Sequence, residues 1–587
     1  MQPKILQPRF FQPRFFQPKF FQIGFNKCGT TFIARLFDMN GIPAAHWLEG
    51  ALAEDIAYAK LTGRKPLARW ADSTVAFTDM ESVRFLNTPV IEGFRDYALL
   101  DQHYPGAVFL LNTRRIEDWI ASRYLHRGGA YARSIAASLG VPLGDLAGIW
   151  AADWEAHLTG ARAHFADRPE FIQIDIDEAT PDDYRRALAP WFDLPKVPPL
   201  PGTGVRKARQ QNLPRVQRML ESPPPGAGFT PASRARIATC LARLAAPHRL
   251  TATRSPQAPH PQAVCLDLDR NELRGADGTL LPLRRAPDGQ FYLEAGRPGL
   301  LRVATTVNDM AQVTQHGRYW LDMRPSGPEQ AAQAPLIAGL RRKWAANVWL
   351  WPAPWLHRIG NDGFPGAPLP PSPRPPDCQD IATWRGPLSG FAVTPDGQPD
   401  LGHSAESLIA QALSAPPKAP AEALPAIAQA VRRLTRWHVP DQYGGRDGFD
   451  LALTPDPRQS RALDRLGLTP AARTDSPQGR YALCLGGTQG DADFLPLAQG
   501  RAVVLKEDDG WESFATGLFR PWRHYIPLAP GATDLAQRLA WARAHPTRCA
   551  AMSRRARHLA ARLADPAGRR QHLSQVLTAY RAATGQD

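Results

Sequence analysis

Short apolar runs alternate with amphipathic stretches over the first 250 residues of the chain. The runs at 20–25, 107–112 and 171–176 have the length and composition of buried strands. The stretches between them carry apolar residues at helical spacing. Strands that alternate with helices are typical of an α/β fold with a parallel sheet. The pattern therefore predicts such a domain over residues 20–250.

A second alternating region follows a bridge of proline and polar residues at 251–262. An apolar run begins at Ala263, and apolar residues at 535–545 and 554–563 recur at helical spacing beside arginines. A cluster of prolines at 366–376 predicts a loop. We expect a second α/β region over 263–587, with lobes of about 263–400 and 401–587.

The chain begins with a five-residue repeat in which Gln-Pro and a basic residue precede two apolar residues. Proline recurs in every copy, and it prevents the amphipathic helix that usually docks on membranes. We therefore predict an extended tail over residues 1–19. Docking of these basic and aromatic residues on a membrane surface is the alternative.

Composition narrows the class of protein. Hydrophobic residues make up 43% and charged residues 21%, which excludes whole-chain disorder, collagen and coiled coil. The net charge of +15 attracts anionic partners, although no RNA- or DNA-binding motif supports a nucleic-acid binder. Six cysteines without a CxxC pair argue against a zinc site and a disulfide framework.

With no secretory signal and no membrane-spanning run, we predict a cytoplasmic protein, with peripheral contact at the inner membrane as an alternative.

A glycine loop follows the first predicted strand and leads into an amphipathic helix. Residues 24–31 read Gly-Phe-Asn-Lys-Cys-Gly-Thr-Thr. The glycines let backbone N–H groups turn toward phosphate oxygens, and the helix N-terminus adds partial positive charge. In the triphosphatase pattern a lysine follows the second glycine, whereas here Thr30 does and the lysine is Lys27 inside the loop. This disfavours magnesium-dependent triphosphate chemistry, so a kinase is the weaker alternative.

A second candidate for phosphate binding follows the strand at 107–112. Arg114 comes directly after the strand, and Ser122 lies eight residues later on a predicted helix. Two turns of helix bring these side chains within reach of one dianion. A surface arginine beside an ordinary helix serine is the alternative for the pair taken alone.

The loop and the Arg114–Ser122 pair together resemble the sulfotransferase superfamily over residues 18–215. The resemblance implies a P-loop-type parallel-sheet domain that uses 3′-phosphoadenosine 5′-phosphosulfate without a metal. It implies that Arg114 and Ser122 hold the 3′-phosphate and that Lys27 neutralises charge on the leaving oxygen. The residues that it assigns to the 5′-phosphosulfate are Gly24, Asn26, Lys27, Cys28, Gly29, Thr30 and Thr31.

The acceptor hydroxyl or amine needs a base. His46 is the first candidate because its ordinary pKa near 6.5 suits proton removal at neutral pH. Asp79 and Glu81 compete for this role, and a packed structural histidine is the alternative for His46. Arg206 and Lys207 are candidates for a basic loop that closes over the nucleotide, or for a solvated loop.

The C-terminal half resembles the CAP10-like family of lipopolysaccharide-modifying and protein O-glucosyltransferases, known for its KDEL-type members. The resemblance covers about residues 265–585 and is strongest at 481–488, 500–506, 511–514 and 520–528. It implies a GT-B arrangement of two Rossmann-like lobes around a nucleotide sugar such as a UDP-sugar, without an essential metal. Arg385, Lys506 and Glu512 match positions of the donor site, the last two near diphosphate and ribose.

Several positions depart from that family's pattern. Gly486 stands where the family has Asp, and Asp493 stands where it has an Arg for the donor phosphates. An Asp repels the diphosphate that an Arg attracts. The family's acceptor base, an Asp, aligns with Leu350 in this chain. Asp362 is the candidate to replace that base, from a loop shifted relative to the family's. The region is therefore either an active glycosyltransferase or a degenerate lobe that recognises a glycan or serves as a scaffold.

Together these features predict a sulfotransferase fused to a glycosyltransferase-like region. The expected acceptor is a glycan or a lipid-linked saccharide that is destined for a cell-surface polysaccharide or lipopolysaccharide. The alternative is a sulfotransferase with a non-catalytic, glycan-binding C-terminal region.

Overall fold

A computed structural model describes most of the chain. The described residues are 17–84, 88–199, 204–221, 229–252, 258–324, 328, 332–353, 378–394, 398–416, 423–470, 479–487, 494–563 and 565–586. The predictions for most of the tail, for residues 366–376, for Asp362 and Asp493, and for the side chains of Arg206 and Lys207 lie outside them.

Strands and helices alternate along the chain. In chain order the strands are β1 (Phe20–Gln22), β2 (Ala44–His46), β3 (Ala76–Thr78), β4 (Glu81–Ser82), β5 (Ile91–Glu92), β6 (Val108–Thr113), β7 (Phe171–Asp175), β8 (Val264–Asp267), β9 (Glu272–Gly275), β10 (Leu283–Arg285), β11 (Phe291–Leu293), β12 (Arg318–Asp322), β13 (Leu336–Ala338), β14 (Arg341–Arg342), β15 (Val348–Leu350), β16 (Gln379–Gly386), β17 (Phe391–Val393), β18 (Pro399–Ser404), β19 (Phe449–Leu453), β20 (Gly479–Cys484), β21 (Val503–Glu507), β22 (Trp511–Glu512) and β23 (Ile526–Leu528). The helices are α1 (Thr30–Met39), α2 (Ala51–Thr62), α3 (Ala68–Ala71), α4 (Tyr97–His103), α5 (Ile116–Leu125), α6 (Ala130–Leu139), α7 (Leu146–His164), α8 (Pro181–Leu188), α9 (Gly204–Leu220), α10 (Pro231–Ala245), α11 (Pro298–Ala311), α12 (Ala405–Ser414), α13 (Ala423–Arg432), α14 (Thr435–Tyr443), α15 (Pro457–Arg465), α16 (Phe494–Gln499), α17 (Leu535–Ala544), α18 (Pro546–Leu563) and α19 (Pro566–Thr584).

The chain forms two compact units. The first comprises residues up to Ser222 together with Ala286–Arg297, and the second comprises Pro223–Arg285 and Pro298–Asp587. This division differs from the boundary that the sequence predicts at 250, because the apolar face of α10 packs in the second unit, against α19. The expected α/β class with parallel sheets is confirmed, whereas the P-loop and GT-B assignments stay predictions.

The first unit is built on a five-stranded parallel sheet in the order β2-β3-β1-β6-β7. Successive residues of the central strand β1 point to opposite faces, so Phe20 packs with Phe37 while Phe21 stacks on Phe77 and Phe109. The strand ends at Gln22, three residues before the predicted end at 25. The apolar run continues because the loop that follows the strand is itself buried.

The second unit contains two five-stranded sheets. The first is mixed, in the order β15-β13-β12-β8-β9, and β8 runs antiparallel to β12. The second is parallel, in the order β19-β16-β20-β21-β23. The strand β16 already belongs to this second sheet, although it lies within the predicted first lobe of about 263–400; the two lobes stay a prediction. Among the described residues, no helix is both long and apolar enough to cross a membrane.

A histidine without hydrogen-bond partners among the described residues is buried in α19. His572 is fully buried, both ring nitrogens lack a partner there, and the ring stacks on Phe514 at 6.0 Å. Burial lowers its pKa to about 3, which keeps the ring neutral in the folded protein.

We expect His572→Leu to raise stability and to reduce its loss in acid. Removing two unsatisfied polar atoms contributes about 1–3 kcal/mol. In the wild type the unfolded histidine takes up a proton below pH 6.5 while the folded one does not, so about 2 kcal/mol is lost by pH 5. Thermal unfolding between pH 7.5 and 5 measures both effects. The control His558→Leu, at an exposed position of α18, should leave the melting temperature at pH 7.5 unchanged; an equal gain in both variants would contradict the burial argument.

Candidate functional sites

Three strand ends of the first unit meet at one edge of its sheet. The strand β1 leads into the glycine loop (residues 24–29) and α1, β3 leads to Asp79, and β6 leads to Arg114. Since these neighbouring strands are parallel, their carboxyl ends lie side by side. This edge is where ligands bind in open α/β sheets.

Both glycines of the loop are required by the backbone. A Cβ on Gly24 would lie 2.7 Å from the backbone N and O of Asn112 in β6, so any larger residue would push the loop off the sheet. Gly29 has a φ of 85° and precedes α1, whose N-terminus has no side-chain cap. The first N–H groups of the helix are therefore left for a ligand such as an anion.

Side chains from α5 and from the end of β6 hold the loop. Arg114 Nη1 donates to the backbone oxygen of Lys27 at 2.9 Å, and Trp119 Nε1 donates to that of Asn26 at 3.1 Å. Arg114 Nε is buried and has no partner among the described residues, which leaves a donor for a bound group. Ser122, the predicted companion of Arg114, is half-buried on α5.

A buried ionic network lies behind the loop. Arg123 is fully buried, and its Nη2 lies 3.1 Å from Glu81 Oε1 and 2.8 Å from Glu92 Oε1. Tyr131 donates to Glu81 Oε1 at 2.6 Å, and Asn26 Nδ2 donates to Glu81 Oε2 at 2.7 Å. Burial raises the pKa of Glu81 to about 7, against the opposing charge of Arg123. Glu81 is thus the link between the buried arginine and the loop.

A cavity of about 370 Å³ opens in front of the loop. The residues that line it are Asn26, Lys27, Gly29, Thr30, Thr31, Phe32, Trp47, Asp79, Glu81, Val83, His126, Arg127 and Tyr131. Four of these non-glycine residues have left-handed backbones, with φ of 65° at Lys27, 59° at Trp47, 54° at Asp79 and 49° at Arg127. Such strain is uncommon outside glycine and concentrates at functional sites.

Lys27 and His126 face each other in this cavity. Lys27 Nζ lies 3.4 Å from His126 Nε2. Burial, helped by the charges of Lys27 and Arg127, lowers the pKa of His126 to about 4, so the imidazole is neutral at pH 7 and can accept from the lysine. Burial also lowers the pKa of Lys27, although the charges of Asp79 and Glu81 oppose the shift.

The predicted base His46 lies beside the cavity, at the end of β2. Its Nδ1 is 2.9 Å from Thr78 Oγ1, and its Nε2 is 3.3 Å from Thr31 Oγ1. The same Nε2 lies 3.9 Å from Asp79 Oδ2, and Asp79 lines the cavity. Burial raises the pKa of Asp79, which moves this carboxylate toward the range of a general base. The two candidate bases are therefore neighbours.

The structure brings together most of the predicted loop residues but not all of them. Asn26, Lys27, Gly29, Thr30 and Thr31 line the cavity. Cys28 points into the core, and burial raises the pKa of its thiol to about 12, so it is inert there. Sequence reasoning missed Trp47, Arg123, His126, Arg127 and Tyr131. For the last four of these, the available signal was the density of charged and aromatic residues directly after Ser122.

The second unit has a cavity of about 240 Å³ at the carboxyl ends of β16, β20, β21 and β23. The residues that line it are Lys343, Trp344, Ser389, Gly390, Phe391, Val393, Gln398, Pro399, Thr435, Gly486, Gly487, Glu507, Asp508, Asp509, Gly510, Trp511 and Pro530. Lys343 is the one lysine or arginine among these described lining residues, and its Nζ pairs with both carboxylate oxygens of Asp508 at 2.6 and 2.8 Å.

A buried carboxylate ties the loops around this second cavity. Glu507, at the end of β21, accepts from Gly486 N at 2.6 Å, from Gly531 N at 2.7 Å and from Thr435 Oγ1 at 2.9 Å. Burial raises its pKa, although these three donors oppose the shift. One side chain thus fixes the loops after β20 and β23 and the start of α14.

The same carboxylate explains why glycine occupies position 486. A Cβ there would lie 2.8 Å from Asp509 Cβ and 3.0 Å from Glu507 Oε2. An aspartate would place a third carboxylate against these two acidic side chains, and like charges at that distance repel. In this chain, then, glycine at 486 belongs to the packing of the cavity floor.

The residues that the resemblance assigned to the donor site do not line this cavity. Arg385 Nη2 pairs with Asp450 at 2.7 and 2.8 Å, and Glu512 Oε2 lies 2.9 Å from Arg341 Nε. Lys506 is buried, and its Nζ donates to Glu507 O at 3.4 Å. Leu350 is buried in β15. Side chains that already bind each other are less available to a nucleotide.

Comparison with known proteins bears on the second unit. Residues 467–580 match the model of Glycosyl transferase family 90, and no sulfotransferase family model matches the chain. An uncharacterised protein, 035R, of Invertebrate iridescent virus 3 is 30% identical over 106 residues, which are 17% of this chain. The matched part spans only 9% of that viral protein. The family match supports a glycosyltransferase-like function, and with it a transferase.

We expect Arg123→Met to destabilise the protein by about 3–5 kcal/mol, because it leaves Glu81 buried without its cation, whereas Glu92 keeps Arg95 at 2.6 Å. Chemical denaturation followed by aromatic fluorescence measures the change. The control Arg115→Met replaces an exposed arginine eight positions earlier and should cost less than about 0.5 kcal/mol. Similar losses in both variants would show that the buried network does not carry this stability.

Proposed function

We propose that the chain is a transferase with two active parts. The first unit transfers a sulfuryl group from 3′-phosphoadenosine 5′-phosphosulfate to a glycan-type acceptor. The second unit binds a nucleotide sugar and acts as a glycosyltransferase on the same class of acceptor. The two proposals rest on separate observations, so each has its own test.

The main support for the first proposal is the glycine loop and its strained residue Lys27. The loop leads into α1, whose N-terminus has no side-chain cap. Lys27 has a left-handed backbone, and Arg114 donates a hydrogen bond to its carbonyl oxygen. Lys27 and the first residues of α1 line the cavity, and the close approach of β6 excludes a side chain at Gly24. A phosphosulfate presents the matching anionic oxygens.

The proposed reaction uses the cavity as follows. An acceptor oxygen attacks sulfur while the bond from sulfur to the bridging phosphate oxygen breaks, and adenosine 3′,5′-bisphosphate leaves with that electron pair. The Lys27 ammonium offsets the charge that develops on the leaving oxygen. One of the two neighbouring bases, His46 or Asp79, takes the acceptor proton; their side chains lie 3.9 Å apart.

Titration calorimetry without metal tests the first proposal. The full chain should bind adenosine 3′,5′-bisphosphate, and Arg114→Ala should weaken this binding about 10–100-fold by removing a charge-assisted contact to the 3′-phosphate. Adenosine 5′-monophosphate lacks that phosphate, so its affinity should fall much less. Arg115→Ala is the control. No bisphosphate binding would refute the proposal, and equal losses for both ligands would mean that Arg114 acts only by holding the loop.

The cavity at the end of the parallel sheet supports the second proposal. The family match covers β20, β21 and β23, whose carboxyl ends form much of its floor. Trp344 is 57% exposed and offers a ring for a nucleobase, and a donor phosphate would compete with Asp508 for Lys343. We propose that the donor sits here and not at Arg385 and Glu512, because neither of those residues lines this cavity.

Titration with UDP and other nucleoside diphosphates tests the second proposal. Wild type should bind one of them, and Gly486→Asp should weaken that binding at least about tenfold because it fills the floor with a further negative charge. Gly445→Ala is the control, since a Cβ there meets nothing within 4 Å. Lys343→Ala provides a second variant if Gly486→Asp does not fold. Absence of diphosphate binding in the wild type would favour the degenerate, glycan-binding alternative.

A further inference from the structure

One stretch of the second unit is strongly basic. Seven arginines and no Asp or Glu lie between Asp534 and Asp565, a stretch that contains α17 and α18. Asp534 itself already pairs with Arg538, at 2.7 Å. Neither cavity described above includes a residue of this stretch. The positive charge therefore serves neither proposed active site directly.

The arginines of α18 form an exposed row. The helix buries Cys549, Met552 and Ala556 on one side, so Arg548 and Arg555, seven residues apart, lie on one outer face. Both side chains are exposed. A row of this kind presents charge outward over two helical turns.

Two arginines of the turn before β23 extend this row. Arg520 and Arg523 are exposed on either side of the buried His524. The turn lies beside α18, because Phe494 of α16 contacts Phe519 and Tyr525 at the two ends of the turn, and α16 packs against α18. Burial lowers the pKa of His524, and the charges of Arg523, Arg555 and Arg520 lower it further. In the part of the chain that the structure describes, no ion pair joins any of these arginines to a carboxylate.

An aromatic pair lies within the same surface. Trp522, between the two arginines, is 40% exposed and has a φ of 59°. Its ring packs edge to face with Trp541 at 4.8 Å, and the Arg538 guanidinium lies over it at 5.0 Å. Trp541 stacks on His545 at 4.4 Å. The stacking faces are thus used within the protein, while part of the Trp522 ring remains in contact with solvent.

We propose that this arginine–tryptophan surface, defined by Arg520, Trp522, Arg523, Arg548 and Arg555, docks on an anionic phospholipid bilayer. Charge complementarity carries the argument, because arginines that have no carboxylate partner among the described residues match a plane of anionic headgroups, and each strengthens binding about fivefold. A partly exposed indole beside such charges suits the boundary between headgroups and acyl chains. A nucleic acid or sugar polymer would need free ring faces for stacking, and Arg538 and His545 occupy such faces here.

Vesicle co-sedimentation of the full chain tests this inference. Vesicles of phosphatidylcholine and phosphatidylglycerol at about 7:3 should bind the protein, and vesicles of phosphatidylcholine alone should not. Raising salt from about 50 to 500 mM should weaken the binding strongly. The double variant Arg523→Glu/Arg555→Glu should reduce the partition constant at least about tenfold. The control Arg458→Glu/Arg461→Glu makes the same charge change at exposed positions of α15 and should bind like the wild type.

A third variant and a soluble competitor separate the alternatives. Trp522→Ala should weaken vesicle binding without changing its dependence on salt, because it removes an interfacial ring and no charge. Equal binding by the two double variants would overturn the proposal, since other basic residues would then account for the binding. Loss of heparin or RNA binding in Arg523→Glu/Arg555→Glu, with no vesicle binding by the wild type, would assign the surface to a soluble polyanion instead.

Discussion

The cavity of the first unit depends on one buried charge, the guanidinium group of Arg123. Arg123 is fully buried, and a buried charge persists only with hydrogen-bonded partners of opposite sign. Glu81 supplies one such partner and also accepts the amide of Asn26 in the glycine loop. The loop is therefore anchored to the same group that balances the buried charge. The hydrogen bond from Arg114 to the carbonyl oxygen of Lys27 helps to hold the strained, left-handed backbone of that lysine.

The second unit uses a buried carboxylate for a comparable purpose. Glu507 accepts hydrogen bonds from two backbone N–H groups and one hydroxyl, and so fixes two loops at the ends of parallel strands and the start of α14. Both cavities thus lie at the carboxyl edge of a parallel sheet, as expected for open α/β architecture. Their charges differ, because two cationic and two acidic side chains line the first cavity, whereas one lysine and three acidic side chains line the second. The second cavity therefore has the larger excess of carboxyl groups.

The residues assigned to the donor site from family resemblance show what aligning a sequence with a family cannot predict. Arg385 and Asp450 lie on adjacent strands, β16 and β19, and the register of those strands sets them beside each other. Glu512 meets Arg341 because β14 and β22 pair, although the two residues are 171 positions apart in the chain. A charged residue in a sequence does not reveal whether its partner will be a ligand or another side chain.

The sequence by itself determined the α/β class, the strand, loop and helix order around Lys27, and the loop glycines, because periodicity and glycine spacing are local properties. It did not reveal that α10 packs with the second unit or that β16 joins the second sheet, because both depend on contacts between distant segments. Only the tertiary structure decided that Arg123 is buried while Arg127 faces a cavity, that Glu507 binds two loops and the start of α14, and that no side chain fits at Gly486. The reason is physical: identical side chains acquire different roles through burial, partners and backbone conformation, and the folded chain alone sets these.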